Sequence, residues 1–376
     1  MTKVEVIAFY LPQFYPFREN DEWWGPGFTE WTNVAKAKPL FKGHNQPRIP
    51  ADLGFYDLRV HETRQQQVDL AKRAGVTAFC YWHYWFGNGK RLLDKVFDEV
   101  LTSGAPDFPF CLAWANHSWY AKTWDKDTKD KLLIEQTYPG IEDAREHFNY
   151  LLKAFNDARY IKVGGKPLFF VFDPQALPDT YIQSFNEWII ENGFDGIYLV
   201  ANISPYDHKE EYIKRGYSAV VINRVTKASL TTSDVRKRSI SDYFYSNPVL
   251  KKIMEFRLKL KKLACPYPTI VDYQDYYKLL ITEQEYESDV IPQIVPQWDH
   301  TPRSGVKGLT WINTTPALFY KHSCMALEAI KNKQNPIVVL KSWNEWGEGN
   351  YMEPDSKYGC GYIDALKQAI DDTMHF

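Results

Sequence analysis

The chain of 376 residues is defined first by what it does not contain. No apolar run approaches the roughly 20 residues that a membrane-crossing helix needs. The opening Met1-Thr2-Lys3-Val4-Glu5 enters a strand-like run with neither a basic n-region nor an apolar h-region, the pattern expected of a cytoplasmic protein. Cys80, Cys111, Cys265, Cys324 and Cys360 are odd in number and widely spaced, as reduced thiols would be. There is no CxxC to suggest zinc, no H-E-x-x-H, and no H-x-H after the first predicted strand. No glycine-rich phosphate turn follows an early strand, which argues against a dinucleotide fold. A net charge of −2 gives no global reason to bind nucleic acid. Internal repeats and low-complexity tracts are also missing.

What is present is a globular composition, 44% hydrophobic and 24% charged, with aromatic residues unusually abundant at 16%. Many of those aromatics follow predicted strands, a placement that stacking on sugars explains better than core packing does.

Strand-like and helix-like runs alternate. Strands are expected over Val4–Tyr10, Val76–Tyr81, Phe108–Trp114, Lys166–Phe172, Ile197–Ala201, Ala219–Ile222, Ile291–Val295 and Ile337–Leu340. Helices are expected over His61–Ala74, closed by Gly75, and over Leu92–Thr102, Ile141–Asn156, Tyr181–Asn192 and Pro316–Lys331. A long aromatic-rich loop spans 12–60. This pattern predicts a single-domain (β/α)8 barrel over 1–376, with its active site at the strands' C-terminal ends. A doubly wound sheet is the rival, weakened by the missing phosphate turn.

Residues 224–285 break the rhythm as a basic insertion carrying Arg236-Lys237-Arg238 and a lysine-rich stretch over 250–263. That stretch reads either as a solvated helix on the barrel rim or as a peripheral contact with the inner membrane.

The chemistry gathers in Trp343-Asn344-Glu345-Trp346-Gly347-Glu348-Gly349-Asn350-Tyr351-Met352-Glu353-Pro354. If the chain turns helically after Asn344, Glu345 and Glu348 share a face with Cβ atoms roughly 5–6 Å apart. Paired carboxyls of retaining glycosidases stand about 5–5.5 Å apart. The plain alternative is a solvated first helical turn, where acids suit the macrodipole. Two tryptophans, two glycines and a third acid before Pro354 argue against it.

Asn344-Glu345-Trp346-x-Glu348-Gly349 followed by Glu353-Pro354 resembles the signature of glycoside hydrolase family 99 and of the related WbsX-type proteins of bacterial surface-polysaccharide gene clusters. Phe9-Tyr10-Leu11-Pro12-Gln13-Phe14, Trp23-Trp24-Gly25-Pro26-Gly27-Phe28-Thr29-Glu30-Trp31 and Pro296-Gln297-Trp298-Asp299-His300-Thr301-Pro302-Arg303 extend the resemblance over the chain, apart from about 225–285.

The resemblance implies Glu348 as general acid, its pKa raised by an apolar wall, and Glu345 as the second carboxylate. In family 99 the matching residue is thought to deprotonate the sugar's 2-hydroxyl and give a 1,2-anhydro sugar; spacing alone equally permits a direct nucleophile. Tyr10, Trp24, Trp298, Trp343 and Trp346 are candidate stacking platforms or core residues. Asp173 holds a sugar hydroxyl or caps a turn. Asp299 and Arg303 bind hydroxyls or pair with each other. His83 and His117 are candidate ligand contacts or scaffold, and Glu30, Asn116, Asn344 and Glu353 complete the expected binding set.

No cofactor is expected. The expected partner is an oligosaccharide or a lipid-linked glycan. The leading expectation is a glycosyltransferase of lipopolysaccharide O-antigen assembly. Alternatives are an endo-acting, α-mannosidase-like retaining hydrolase and a non-catalytic glycan-binding barrel. A metal hydrolase using His83, His117, Asp173, Asp299 and His300 is a further reading, without a supporting motif. Gly347 stands where the hydrolases carry histidine, which favours the biosynthetic branch. Asp125-Lys126-Asp127 is the only D-x-D and reads as a solvated turn as readily as a metal-bound nucleotide-sugar site.

Overall fold

A computed structural model describes residues 4–121, 131–225 and 267–374. Asp125-Lys126-Asp127, Arg236-Lys237-Arg238, Cys265 and the basic stretch 250–263 lie outside the described residues.

Eight parallel strands follow one another around the molecule: β1 (Glu5–Tyr10), β2 (Ala78–Trp85), β3 (Phe110–Trp114), β4 (Lys166–Val171), β5 (Tyr198–Ile203), β6 (Ala219–Ile222), β7 (Gln293–Ile294) and β8 (Ile337–Leu340). Each pairs with the next through β6, and β8 lies between β7 and β1. The gap between β6 and β7 is closed by a parallel bridge from Val220 to Val290, with backbone bonds Val220 N to Asp289 O and Ile291 N to Val220 O, each 2.8 Å. The fold is a (β/α)8 barrel. β8 is continuous and apolar because it is buried on both faces. Val338, Val339 and Leu340 are fully buried, and each contributes about 1.5–3 kcal/mol through burial.

Helices cover the outside. Two short ones, α1 (Arg18–Trp24) and α2 (Glu30–Lys36), stand in the long loop after β1. α3 (His61–Ala74), α4 (Lys95–Ser103), α5 (Ile141–Phe155), α6 (Asp179–Glu191) and α7 (Lys209–Lys214) connect successive strands. α8 (Pro316–Ile330) leads into β8, and α9 (Gly361–Thr373) packs on both α8 and α3. α3 stops where expected, at Gly75, whose φ of 81° is the left-handed conformation of a helix C-cap. None of the described helices is long and apolar enough to cross a membrane.

Strand alternation decides which side chains can reach the barrel mouth. Phe9 stacks on Trp82 at 4.9 Å and meets Phe170 at 5.4 Å, so this face of β1 fills the interior. Tyr10 points the other way. It packs on Phe79 and Tyr81, and its hydroxyl donates to Gln67 Oε1 of α3 at 2.7 Å.

The strand expected at 76–81 continues to Trp85, so Trp82–Trp85 belong to the barrel wall and not to a loop. The seventh strand is shorter than expected, because only Gln293 and Ile294 pair with β8. Residues 267–285, the described end of the expected insertion, are ordered around a second apolar cluster. Val271, Tyr273, Tyr276, Trp298 and Trp311 are among its members, and Thr269–Asp272 pairs in parallel with Leu309–Ile312. This cluster backs the segment after β7, with Trp311 N donating to Trp298 O at 2.8 Å.

Candidate active site

The two candidate glutamates do not sit on an α-helical turn. Asn344–Glu345 and Asn350–Tyr351 form a small antiparallel hairpin, joined by a 3₁₀ turn over Trp346–Glu348. Gly349 closes the turn with φ 56°, and a Cβ there would stand 2.7 Å from Asp299 Cβ. Asn344 clasps the end of β1 from both sides: Leu11 N donates to Oδ1 at 2.7 Å, and Nδ2 donates to Leu11 O at 3.0 Å. The hairpin is thereby fixed over the C-terminal end of the barrel.

Arg303 brings the glutamates together. Its Nη2 donates to Glu345 Oε1 at 2.6 Å and its Nη1 to Glu348 Oε1 at 2.8 Å, so the two carboxylates lie within the span of one guanidinium. Its Nε donates to Glu30 Oε2 at 3.0 Å. Such charge-assisted bonds are about twice as strong as neutral ones, and the rigid fork sets their geometry.

The segment carrying Arg303 is anchored by Asp299. Asp299 Oδ1 accepts from the backbone N and hydroxyl of Thr301 at 3.0 and 2.6 Å. Oδ2 accepts from Gln46 Nε2 and His44 Nε2, each at 2.8 Å. His44 Nδ1 accepts from Leu40 N, so the ring's proton is on Nε2. Burial alone would raise the Asp299 carboxyl, but the bond from His44, the nearby Arg48 charge and the bonds from Thr301 and Gln46 hold it down at about 2. Asp299 N also donates to Glu348 O at 2.6 Å, tying this segment to the hairpin.

The electrostatics separate the pair. Burial pushes Glu345 up to about 8; Arg303 opposes the rise, and the charges of Glu348 and Glu30 reinforce it. Burial would raise Glu348 as well, but the charges of Arg303, His300 and Lys341 and the bond from Arg303 hold it below the ordinary range. This reverses the expectation that Glu348 carries the raised pKa. Its side chain is 20% exposed and faces Arg303, His300 and Lys341, whereas that of Glu345 is 8% exposed and faces two carboxylates besides Arg303.

Of the other expected residues, Glu30, Arg303, Asp299 and Asn344 gather with the glutamates, although Asp299 and Asn344 spend their polar atoms on the scaffold. Trp346 lies in the turn, stacked on Tyr351 at 3.7 Å. Trp298 is buried, with the Lys341 ammonium 5.2 Å from its ring centroid. His117 stands at the mouth near Asp173 and Glu348, against Phe172 at 4.9 Å; burial holds its pKa down. Asn116 bonds both the N and the O of Asp173, at 2.8 and 2.7 Å, and so ties β3 to β4. The Asp173 side chain accepts from Ala176 N at 3.2 Å, the turn-capping alternative. Trp24 is 46% exposed on the rim, paired with Phe28 at 5.8 Å.

Four expected contacts lie away from the mouth. Tyr10 and His83 face the helix layer. His83 Nε2 is 2.8 Å from His147 Nε2 of α5, and burial holds its pKa at about 3. Trp343 is fully buried against Phe79. Glu353 is buried below the hairpin with three donors on it. The five residues considered as metal ligands accordingly do not converge.

Sequence reasoning missed Tyr84, Trp82 and Lys341 as site residues, and weighed His300 only as a metal ligand. The charges of Glu345, Glu30 and Glu348 act on Tyr84, and its hydroxyl is pushed above its ordinary range by burial first. Lys341 follows β8 on the same face as Val339, whose register partner Ile7 shares the Phe9 side of β1. A lone lysine closing an apolar strand was the available signal.

Against known proteins, residues 6–366 match the family described as Glycosyltransferase WbsX. The chain is similar to a protein named Uncharacterized protein WxcX in two Xanthomonas campestris pv. campestris strains, at 32% identity over 97% of this chain. It spans about half, 49%, of the length of those curated relatives. Among solved structures it is similar to a "Glycoside hydrolase-like protein", with TM-score 0.57 and 16% identity over 97% of this chain and 93% of that one. It is also similar to the GH99 endo-alpha-mannosidase from Bacteroides thetaiotaomicron, with TM-score 0.55 and 14% identity over 100% and 98%. At such identities these two establish the shared barrel fold. The family match, covering nearly all of the sequence, establishes more: the chain belongs to the Glycosyltransferase WbsX family.

Proposed function

We propose that the chain acts on a glycosidic bond, as a glycosyltransferase of bacterial surface-polysaccharide assembly, with Glu345 and Glu348 sharing one proton as its acid/base pair. The observation that carries this reading is the single guanidinium of Arg303 between two carboxylates of opposite pKa displacement at a barrel's C-terminal mouth. Groups whose environments drive their pKa values apart supply one acid and one base near neutral pH. An acid protonates the leaving oxygen while the charged carboxylate acts at the anomeric carbon or on the neighbouring hydroxyl. Trp82, Phe172 and His117 offer flat apolar surface for a sugar face.

In the free site burial favours the protonated form of Glu345, while Arg303, His300 and Lys341 favour the charged form of Glu348. Delivery from Glu348, the role implied by the family 99 resemblance, therefore requires the proton to cross once substrate is bound; delivery from Glu345 does not. An aryl glycoside with a good leaving group needs no acid. The Gln variant that retains its rate on that substrate, while losing it on a poor leaving group, identifies the acid.

The transferase reading draws on the family description, with a lipid-linked or polymeric glycan as substrate in the O-antigen pathway. In this reading the protein works at the cytoplasmic membrane face, and the basic sequence of 250–263 is what would meet anionic lipid. An endo-acting hydrolase is the second reading, favoured by the carboxylate pair itself, the arrangement of retaining glycosidases. Mass spectrometry of a glycolipid and oligosaccharide pool, with and without nucleotide sugars and beside Glu348→Gln, tests both. Mass gain supports transfer; mass loss without a donor supports hydrolysis. Binding without turnover overturns both.

A further inference from the structure

Glu30 opens α2, far from the hairpin in sequence, yet it is 3% exposed and directed at the reacting pair. Arg303 spreads its three nitrogens over three carboxylates: Nε donates to Glu30, Nη1 to Glu348 and Nη2 to Glu345, with Nη2 also 3.0 Å from Glu30 Oε2. The planar fork cannot rotate without breaking one of these bonds. Glu30 is the partner that holds the base of the fork while the two tips hold the reacting carboxylates.

Gly347 explains how a third carboxylate fits. It lies between the two glutamates, and a Cβ there would overlap Glu30 Oε2 and stand 2.9 Å from Arg303 Nε. Its backbone is not in the left-handed region, so the glycine is required by space and not by conformation. Any side chain at 347 competes with Glu30 for one position.

We propose that Glu30 is a positioning residue of this site: by holding Arg303 it sets the placement of that guanidinium against Glu345 and Glu348, and Gly347 is the gap that admits it. The role rests on the reading that Glu345 and Glu348 react, but its test needs no substrate. The charged and titratable groups facing Glu345 are Arg303, Glu348, Glu30, Tyr84 from β2 and Lys341 just after β8, while His300 faces Glu348. Of these, Glu30 adds negative charge, so its loss favours ionisation of Glu345.

The experiment is a carboxyl ¹³C titration of the intact, ligand-free chain, with the Glu345 signal assigned by its loss in Glu345→Gln. In Glu30→Gln the Glu345 midpoint is expected to fall by about one pH unit or more. An unchanged midpoint in a protein of native circular dichroism overturns the proposal. The gap is tested separately by thermal melting: Gly347→Ala is expected to lower Tm in the parent and to lower it much less in a Glu30→Ala background. Equal losses in both backgrounds would show that Glu30 and position 347 do not share one space. A chain that turns over no glycan, yet shows the shifted midpoint, would sink the enzymatic reading and leave this linkage standing.

Discussion

Trp346 Nε1 lies 2.6 Å from Glu353 Oε2, and this bond joins the turn between Glu345 and Glu348 to the last acid of the same motif. The Tyr56 hydroxyl donates to the same oxygen at 2.9 Å, and Gln67 Nε2 of α3 donates to Oε1 at 2.6 Å. Glu353 is therefore a strut between the hairpin, the long loop after β1 and the helix layer. The motif contains three acids with two separate tasks: Glu345 and Glu348 face Arg303, and Glu353 supports them from below.

Removing that strut is expected to cost stability before it costs chemistry. Glu353→Ala leaves the indole, phenol and amide donors unpaired in the interior, and each buried orphan costs about 1–3 kcal/mol. Urea unfolding should show a loss of several kcal/mol. Burial already pushes Glu353 up to about 7, so its neutral form is tolerated, and Glu353→Gln should lose much less. Equal losses in the two variants would contradict the strut.

The raised Glu345 makes a second prediction, about pH and stability. Its folded pKa, about 8, lies above the ordinary carboxylate value of 4.5. Between those values the folded chain holds a proton that the unfolded chain has released. Stability from this group is therefore full below the unfolded pKa and is lost as pH rises through the folded one, by at most about 1.4 kcal/mol per unit. Glu345→Gln removes the dependence, so it should be more stable than the parent at pH 8 and gain little at pH 4.5. Urea midpoints across this range check it, and parallel curves would refute it.

The architecture was largely readable in the sequence, and the reasons are local. Ala219–Ile222 and Ile337–Leu340 were legible to the residue, because short β-branched apolar runs have few other uses. Trp82–Trp85 was not, since an aromatic run after a strand reads equally as loop or wall. The harder failure concerns faces. Alternation says that Tyr10 and Phe9 point oppositely, as do His83 and Trp82, but only packing against Gln67 and His147 tells which pair faces the helices. The glutamate pair was visible as a motif, whereas the Asp299–His44 anchor and the Arg303–Glu30 bond join residues more than 250 positions apart and leave no local trace.

That difference in faces gives a third prediction. His83 and Tyr10 were expected at the glycan site but lie behind the wall, so His83→Gln and Tyr10→Phe should change kcat/KM by less than about twofold while lowering Tm. The Tyr10 hydroxyl donates to Gln67 Oε1, and the loss of that bond is worth about 0.5–1.5 kcal/mol. A large fall in kcat/KM for a variant that stays folded would return either residue to the mouth.

The rate itself should carry the signature of the divided pair. If turnover needs Glu348 charged and one proton on the couple, kcat/KM in the free enzyme rises as Glu348 ionises and falls as the couple loses its last proton. The acid limb then lies below the ordinary carboxylate range, because Arg303, His300 and Lys341 favour the charged form against the cost of burial. The alkaline limb lies near 8, where Glu345 titrates. Lys341 provides an internal control. Burial lowers its pKa, the charges of Glu348 and Glu345 oppose that, and replacing it by methionine removes a cation from beside the pair. Each carboxylate is then harder to ionise, so Lys341→Met should move both limbs of the profile to higher pH. Movement of both limbs downward, or a profile unchanged by the substitution, would mean that the pair does not set the rate.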